Sequence, residues 1–253
     1  MKRIAARALY EAKTLLAPHP RLALPVSRWR VRTGHGEAVD RDTDLVIEGY
    51  PRSANNFALA AFRSAQPQPM RVAHHTHAPA TVIAALRWSV PVIVLVRDPQ
   101  DAVLEFVIRR PSLSIAQALR GYARFYEPLL RYRDSVAVGT FAQVTSDFGA
   151  VIRRVNERFG TEFTEFQHTD RNVRACFDAI EQHYRTLYGP ERFEHVVARP
   201  SKERERLKGT LRAAYEAAPE GLRSRATALY VAFAGDDWAS ERRPVGDPGA
   251  VAR

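Results

Sequence analysis

The stretch DLVIEGYPRSANNFALAAF, residues 44–62, restricts what this chain can become more than any other. Leu45, Val46 and Ile47 read as an apolar strand that runs into a turn at Gly49, Tyr50 and Pro51. A run of small polar residues follows, Arg52 to Asn56, and then an alanine-rich apolar helix from about Phe57. A strand–turn–helix junction gathers unsatisfied backbone N–H groups at the helix start, where the aligned peptide dipoles favour an anion. Arg52 adds a positive charge, and Ser53, Asn55 and Asn56 add uncharged donors. The combination describes a phosphate or sulfate cradle. It is not the nucleoside-triphosphate loop, because GxxxxGK[ST] is absent.

Strands and helices alternate after this junction. A short second strand starts at residues 70–73 and ends in His74–His75–Thr76–His77–Ala78–Pro79, before a helix from about Ala80 to Trp88. PVIVLV, residues 91–96, is a continuous apolar run rich in β-branched residues, as expected of a strand buried on both faces. Arg97 and Asp98 end it, with Asp98 placed to cap a helix and Pro99 at the first helical position. Residues 114–132 read as helix, 135–141 as strand, and 145–160 as a capped amphipathic helix closed by glycine. This alternation implies an α/β fold with a parallel sheet, whose ligands sit at the carboxyl ends of the strands. All three polar segments fall at such ends. Tyr122, Phe125 and Tyr126 suit the core better than an acceptor-site wall. Residues 18–43 read as an irregular lead-in and 199–209 as a charged turn, so 1–43 is expected to be an extension and 44–253 the domain.

At 253 residues the chain can bury a large core, and 45% hydrophobic with 26% charged residues marks it as globular. A net charge of +10 suits an anionic ligand or surface without choosing one. The arginines are scattered, and no zinc-finger or RNP-type motif accompanies them, so nucleic acid is not an expected partner. The single cysteine, Cys176, excludes an intramolecular disulfide and a thiolate-rich metal site, and reads as a small core residue. His75 and His77 share a strand face, yet no third ligand follows at metal-binding spacing. Residues 1–17 form an amphipathic pattern with Ile4, Ala8, Leu9, Ala12, Leu15 and Leu16 near one face. Such a helix more often packs on its domain, although it could make a peripheral contact with an anionic membrane. With no apolar leader and no eighteen-residue apolar run, a soluble cytoplasmic protein is expected.

Three of these segments resemble those of the PAPS-dependent sulfotransferases. Tyr50–Pro51–Arg52–Ser53 resembles the 5′-phosphosulfate loop, usually YPKSGTTW. His75–Thr76–His77–Ala78–Pro79 is similar to KTHLP of the cytosolic members, and VIVLVRDPQDAVLEF to the 3′-phosphate segment VYVARNPKDVAVSYY. The resemblance covers about residues 44–160, in family order. It implies a three-layer α/β/α fold with a central parallel sheet and a P-loop-like 5′-phosphosulfate-binding loop. It further implies PAPS as co-substrate, PAP as product, no metal, and a small-molecule or glycan acceptor that is left open, as is the oligomeric state. His77 is then the expected base and Arg52 the stabiliser of the bridging oxygen. Pro51, Arg52, Ser53, Ala54, Asn55 and Asn56 would hold the 5′-phosphate and Arg97 the 3′-phosphate. The family's C-terminal RKGxxGDW is represented only by Arg206, Lys208 and Gly209 around Leu207.

The departures are specific. Arg52 replaces a lysine and cannot readily release a proton. Asn55 and Asn56 replace threonines. Glu105 stands where the family has a serine on the 3′-phosphate, and a carboxylate ~4 Å from a phosphate costs several kcal/mol at surface-like dielectric. Glu105 must therefore turn away, pair with a nearby arginine such as Arg109, or alter donor binding. Two other readings stay open: a non-catalytic relative that binds PAP or another nucleotide, and a P-loop-like nucleotide kinase, which the missing Walker lysine and the lack of an obvious magnesium-binding acid pair disfavour.

Overall fold

The computed structural model describes residues 2–31, 36–188 and 202–235. Among them four strands form one parallel sheet in the order β2-β1-β3-β4. They are β1 (Leu45–Gly49), β2 (Val72–His74), β3 (Val92–Val96) and β4 (Ala137–Thr140). The runs LVIEG and VIVLV are buried at every position, as the continuous apolar pattern requires.

Because side chains alternate along a strand, the sheet builds two cores. Leu45, Ile47, Ile93 and Leu95 face α3 (Asn55–Ala65), α8 (Phe148–Phe159) and α9 (Asp170–Tyr188). Val46, Val92, Val94 and Val96 face α4 (Pro79–Arg87), α5 (Pro99–Arg109), α6 (Ile115–Tyr126) and the last described helix, α11 (Glu220–Ala234). The result is the three-layer α/β/α arrangement. Tyr122, Phe125 and Tyr126 are buried in the second core, and Cys176 in the first. The chain leaves β1 for β2 on one side and returns past β1 to β3 on the other. A topological switch point therefore lies between β1 and β3, where their carboxyl ends open a crevice. At the β2 edge, Glu37 and His74 exchange backbone hydrogen bonds of 3.0 Å, which closes part of the exposed edge.

Two expectations are corrected. Residues 20–31, expected to be irregular, form α2 (Pro20–Val31) despite Pro25 inside it. Its small residues pack against α4, where Ala17, Ala23, Ala78 and Ala80 form a satellite cluster and Ala80 N donates to Ala17 O at 3.1 Å. Tertiary contact here outweighs the helix-breaking tendency of proline. The charged stretch expected as a turn is helical from residue 202 in α10 (Lys202–Glu216), while 199–201 lie outside the described residues. Charged side chains three apart pair along a helix rather than break it, as Lys208 and Glu205 do at 2.9 Å.

The expectation that α1 (Lys2–Leu16) packs on the domain is met, and it does so through its polar side. Tyr10 meets Phe106, and Glu11 pairs with Arg120 at 2.7 Å and Arg124 at 2.5 Å on α6. Ile4, Leu9, Leu15 and Leu16 are left exposed. A short 3-10 stretch (Glu127–Ser135) leads into β4, and α7 (Phe141–Ser146) separates β4 from α8, which Asp147 caps and Gly160 closes. No described helix is long and apolar enough to cross a membrane.

Candidate functional site

The turn after β1 is held from beneath by tyrosines. Tyr50 is buried and its hydroxyl donates to Ala118 O at 3.0 Å, while its backbone N–H donates to Tyr126 Oη at 3.3 Å. Tyr126 in turn donates to Leu95 O at 2.7 Å, which ties the loop to the end of β3. Arg52 and Ala54 adopt left-handed backbone, φ +75° and +65°. Non-glycine residues there cost about 1 kcal/mol each or more, and such strain concentrates where backbone must be aimed. Ala54 occupies the N-cap position of α3 and offers no side-chain acceptor. The first-turn amides of α3 are thus not consumed by a cap. Asn55 Nδ2 donates back to Tyr50 O at 3.1 Å, and Ser53 is fully buried with no hydrogen-bond partner for its hydroxyl among the described residues.

A chain of charges lies beside this loop. Arg52 Nη2 is 3.0 Å from Glu105 Oε2, and both side chains are 8% exposed. Lys208 Nζ lies 3.3 Å from the other Glu105 oxygen, 3.7 Å from Asp101 and 2.9 Å from Glu205. Arg97 Nη1 donates to Arg52 O at 3.0 Å, and its Nη2 is 3.8 Å from Asp101. Its guanidinium also lies 3.9 Å from the centre of the Phe141 ring, and its carbonyl accepts the Tyr122 hydroxyl at 2.8 Å. Arg97 Nε is buried with no hydrogen-bond partner among the described residues. Glu105 thus pairs with Arg52 and Lys208.

The third wall is the segment after β2. Glu48 sits fully buried in β1, and its carboxylate accepts Thr76 N and Thr76 Oγ1, each at 2.7 Å, and His77 N at 3.0 Å. Burial pushes its pKa up to about 7, against these three hydrogen bonds that pull it down. The bonds hold residues 75–77 in a strained path, with His75 at φ +57° and His77 at φ +50°. His77 Nδ1 donates to Gly49 O at 2.8 Å, so in the neutral ring the basic lone pair is on Nε2. Its side chain is 22% exposed. His74 and His75 differ: their Nδ1 atoms are 2.6 Å apart, and burial pushes their pKa values down to about 2 and about 4. Both are neutral structural rings and very weak bases.

The structure therefore brings Arg52, Ser53, Ala54, Asn55, His77 and Arg97 to one crevice edge, with Pro51 in the turn between. Asn56 faces α9, where its Nδ2 donates to Tyr184 Oη at 2.9 Å. Of the nominated residues on α10, Lys208 is buried against the charge chain, whereas Arg206 and Gly209 are exposed, and a Cβ at Gly209 would meet nothing within 4 Å. Glu48, Phe141 and Tyr184 were missed in the sequence. Glu48 alone left a signal there, as the one acid within an otherwise apolar strand. No group of three or more His, Cys, Asp or Glu side chains able to hold a metal occurs among the described residues.

No family model matches the chain, and no curated protein does. Among solved structures it is similar to a mouse sulfotransferase complexed with PAP, at 13% sequence identity and a TM-score of 0.40, over 76% of this chain and 89% of the other.

Proposed function

We propose that the chain is a sulfotransferase that moves a sulfuryl group from PAPS to a hydroxyl or amine acceptor. The observation that carries this reading is the joining of three separate segments at the β1/β3 switch point. Gly49 O receives His77 Nδ1, and Arg52 O receives Arg97 Nη1. The residues fit a doubly anionic nucleotide: uncapped α3 amides, the buried Ser53 hydroxyl and the unsatisfied Arg97 Nε are donors without acceptors.

The donor supplies an activated sulfuryl group; the protein supplies position and charge. Pro51 to Asn56 would hold the 5′-phosphate and Arg97 the 3′-phosphate. His77 Nε2 would take the acceptor's proton, its ring fixed by the Nδ1 bond to Gly49 O. Arg52 would stabilise charge on the bridging oxygen. Lys208 acts through Glu105, by holding the carboxylate that pairs with Arg52.

That pair also motivates a second reading, a PAP-binding protein without turnover, because Arg52 already faces a carboxylate at 3.0 Å. Calorimetry with PAP, together with transfer of labelled sulfate from PAPS to a fractionated cell extract, separates the two. Tight PAP binding with transfer supports the enzyme, and binding without transfer supports the second reading. In the enzyme, His77→Ala abolishes transfer and leaves PAP affinity within about twofold, as expected for a base that does not bind the donor. Surviving transfer would remove His77 from the role.

A further inference from the structure

Seven of the nine large hydrophobic side chains that are exposed among the described residues fall within residues 2–31. They are not scattered. On α1, successive residues turn by about 100°, which places Leu9 and Leu16 on the side away from Tyr10, Glu11 and Thr14, with Ile4 and Leu15 continuing the same apolar arc round to the flank beside Glu11. Tyr10, Glu11 and Thr14 contact the domain at Phe106, Arg120 and Arg124, and Arg7 Nε donates to Ser112 O at 2.7 Å. Ile4 and Leu9 are 72% and 73% exposed. On α2, Leu22, Val26 and Trp29 follow the i, i+4, i+7 spacing of one stripe, and Trp29 is 67% exposed. The inward side of α2 is instead Ala23 and Ser27, both buried. Two consecutive helices thus each turn an apolar stripe to solvent.

Charge decides what covers it. Residues 2–31 contain seven Lys or Arg and one acid, Glu11, which is already engaged by Arg120 and Arg124. A second copy of the chain would bring seven cations against seven, which disfavours self-association through this face. Apolar stripes rimmed by cations, with an exposed tryptophan, fit the boundary between anionic headgroups and acyl chains. We propose that α1 and α2 form a docking face that seats the protein on an anionic membrane surface, lying on the bilayer without crossing it. This goes beyond the chemistry proposed at the sheet edge and does not depend on it.

The test is co-sedimentation of the full chain with vesicles of phosphatidylcholine alone and of phosphatidylcholine with phosphatidylserine at roughly 7:3. Binding to the mixed vesicles is expected at low salt, falling at least about tenfold at high salt and on phosphatidylcholine alone. The triple variants Leu22→Ser/Val26→Ser/Trp29→Ser and Ile4→Ser/Leu15→Ser/Leu16→Ser are each expected to reduce it about tenfold or more, from the lost apolar area. All six side chains are exposed, so both variants should keep the wild-type circular dichroism. Equal binding to both vesicle types overturns the proposal. So does absence of vesicle binding, with or without a dimer in solution, or folded variants that bind as well as wild type.

Discussion

Replacing Glu105 with glutamine should lower stability and tighten anion binding together. Glu105 is buried between Arg52 at 3.0 Å and Lys208 at 3.3 Å, so the change keeps size and one acceptor but leaves two buried cations without their shared counter-charge. Breaking one member out of a buried ion pair costs about 3–5 kcal/mol, and the retained acceptor favours the lower end. For a chain of this size, ~3 kcal/mol corresponds to a fall in Tm of roughly 6–12 °C. The opposite effect falls on the ligand. An anion ~7 Å from the carboxylate, at an effective dielectric of ~20, is repelled by about 2 kcal/mol per unit charge. Removing that repulsion tightens binding about thirtyfold. Denaturant unfolding with and without PAP reads the first effect, and calorimetric titration of PAP reads the second. Bound PAP should restore much of the lost stability, because it returns negative charge to Arg52. The double variant Arg52→Met/Glu105→Leu is the control: it removes both charges and should be clearly more stable than Glu105→Gln, while losing PAP affinity. A Glu105→Gln protein that unfolds like wild type would show that the buried pair contributes nothing. A folded variant with unchanged or weaker PAP affinity would show that the Glu105 field does not reach the anion site.

Glu48 makes stability depend on pH in a stated direction. Its folded pKa of about 7 exceeds the ordinary 4.5, so the folded chain holds a proton that the unfolded chain releases. The contribution is full below pH 4.5 and is lost as pH rises through 7, about 3 kcal/mol in all. Glu48→Gln should be less stable than wild type throughout, since its amide sets a donor against Thr76 N or His77 N. The gap between the two should shrink by that amount from pH 4.5 to 8, and a constant gap in denaturant titrations would refute the assignment. Gly121→Ala tests the seat of α1, because a Cβ there overlaps the Tyr10 hydroxyl. Overpacking of about 1–3 kcal/mol and faster proteolysis within residues 2–16 are expected; wild-type behaviour would mean that α1 is not seated on Gly121.

Much of the layout was legible because it depends on chain-local patterns. A short unbroken apolar run rich in β-branched residues, such as VIVLV, reads as a strand covered on both faces. The Asp98–Pro99 start of α5 and the Gly160 end of α8 follow from capping chemistry alone, and in the structure Gln100 N donates to Asp98 Oδ1 at 2.9 Å. Other elements were not legible. Pro25 argued against α2, and its packing on α4 overrides it, while Pro20 sits at the first helical position, where proline is tolerated. The apolar stripe of α1 was visible, yet which face it turns to the domain was not, because Glu11 finds its partners about 110 residues away.

The candidate site divides along the same line. Order and residue type were enough to nominate Arg52, His77 and Arg97 and to flag Glu105 as out of place. Which cations Glu105 meets, and that Glu48 lies beneath His77, were decided by tertiary structure. Those facts depend on strand order: only when β3 lies beside β1, and β2 on its other side, do residues 48, 77, 97 and 105 share one crevice. Strand order is set by how the two apolar faces are covered, a property of the whole chain that no single segment carries.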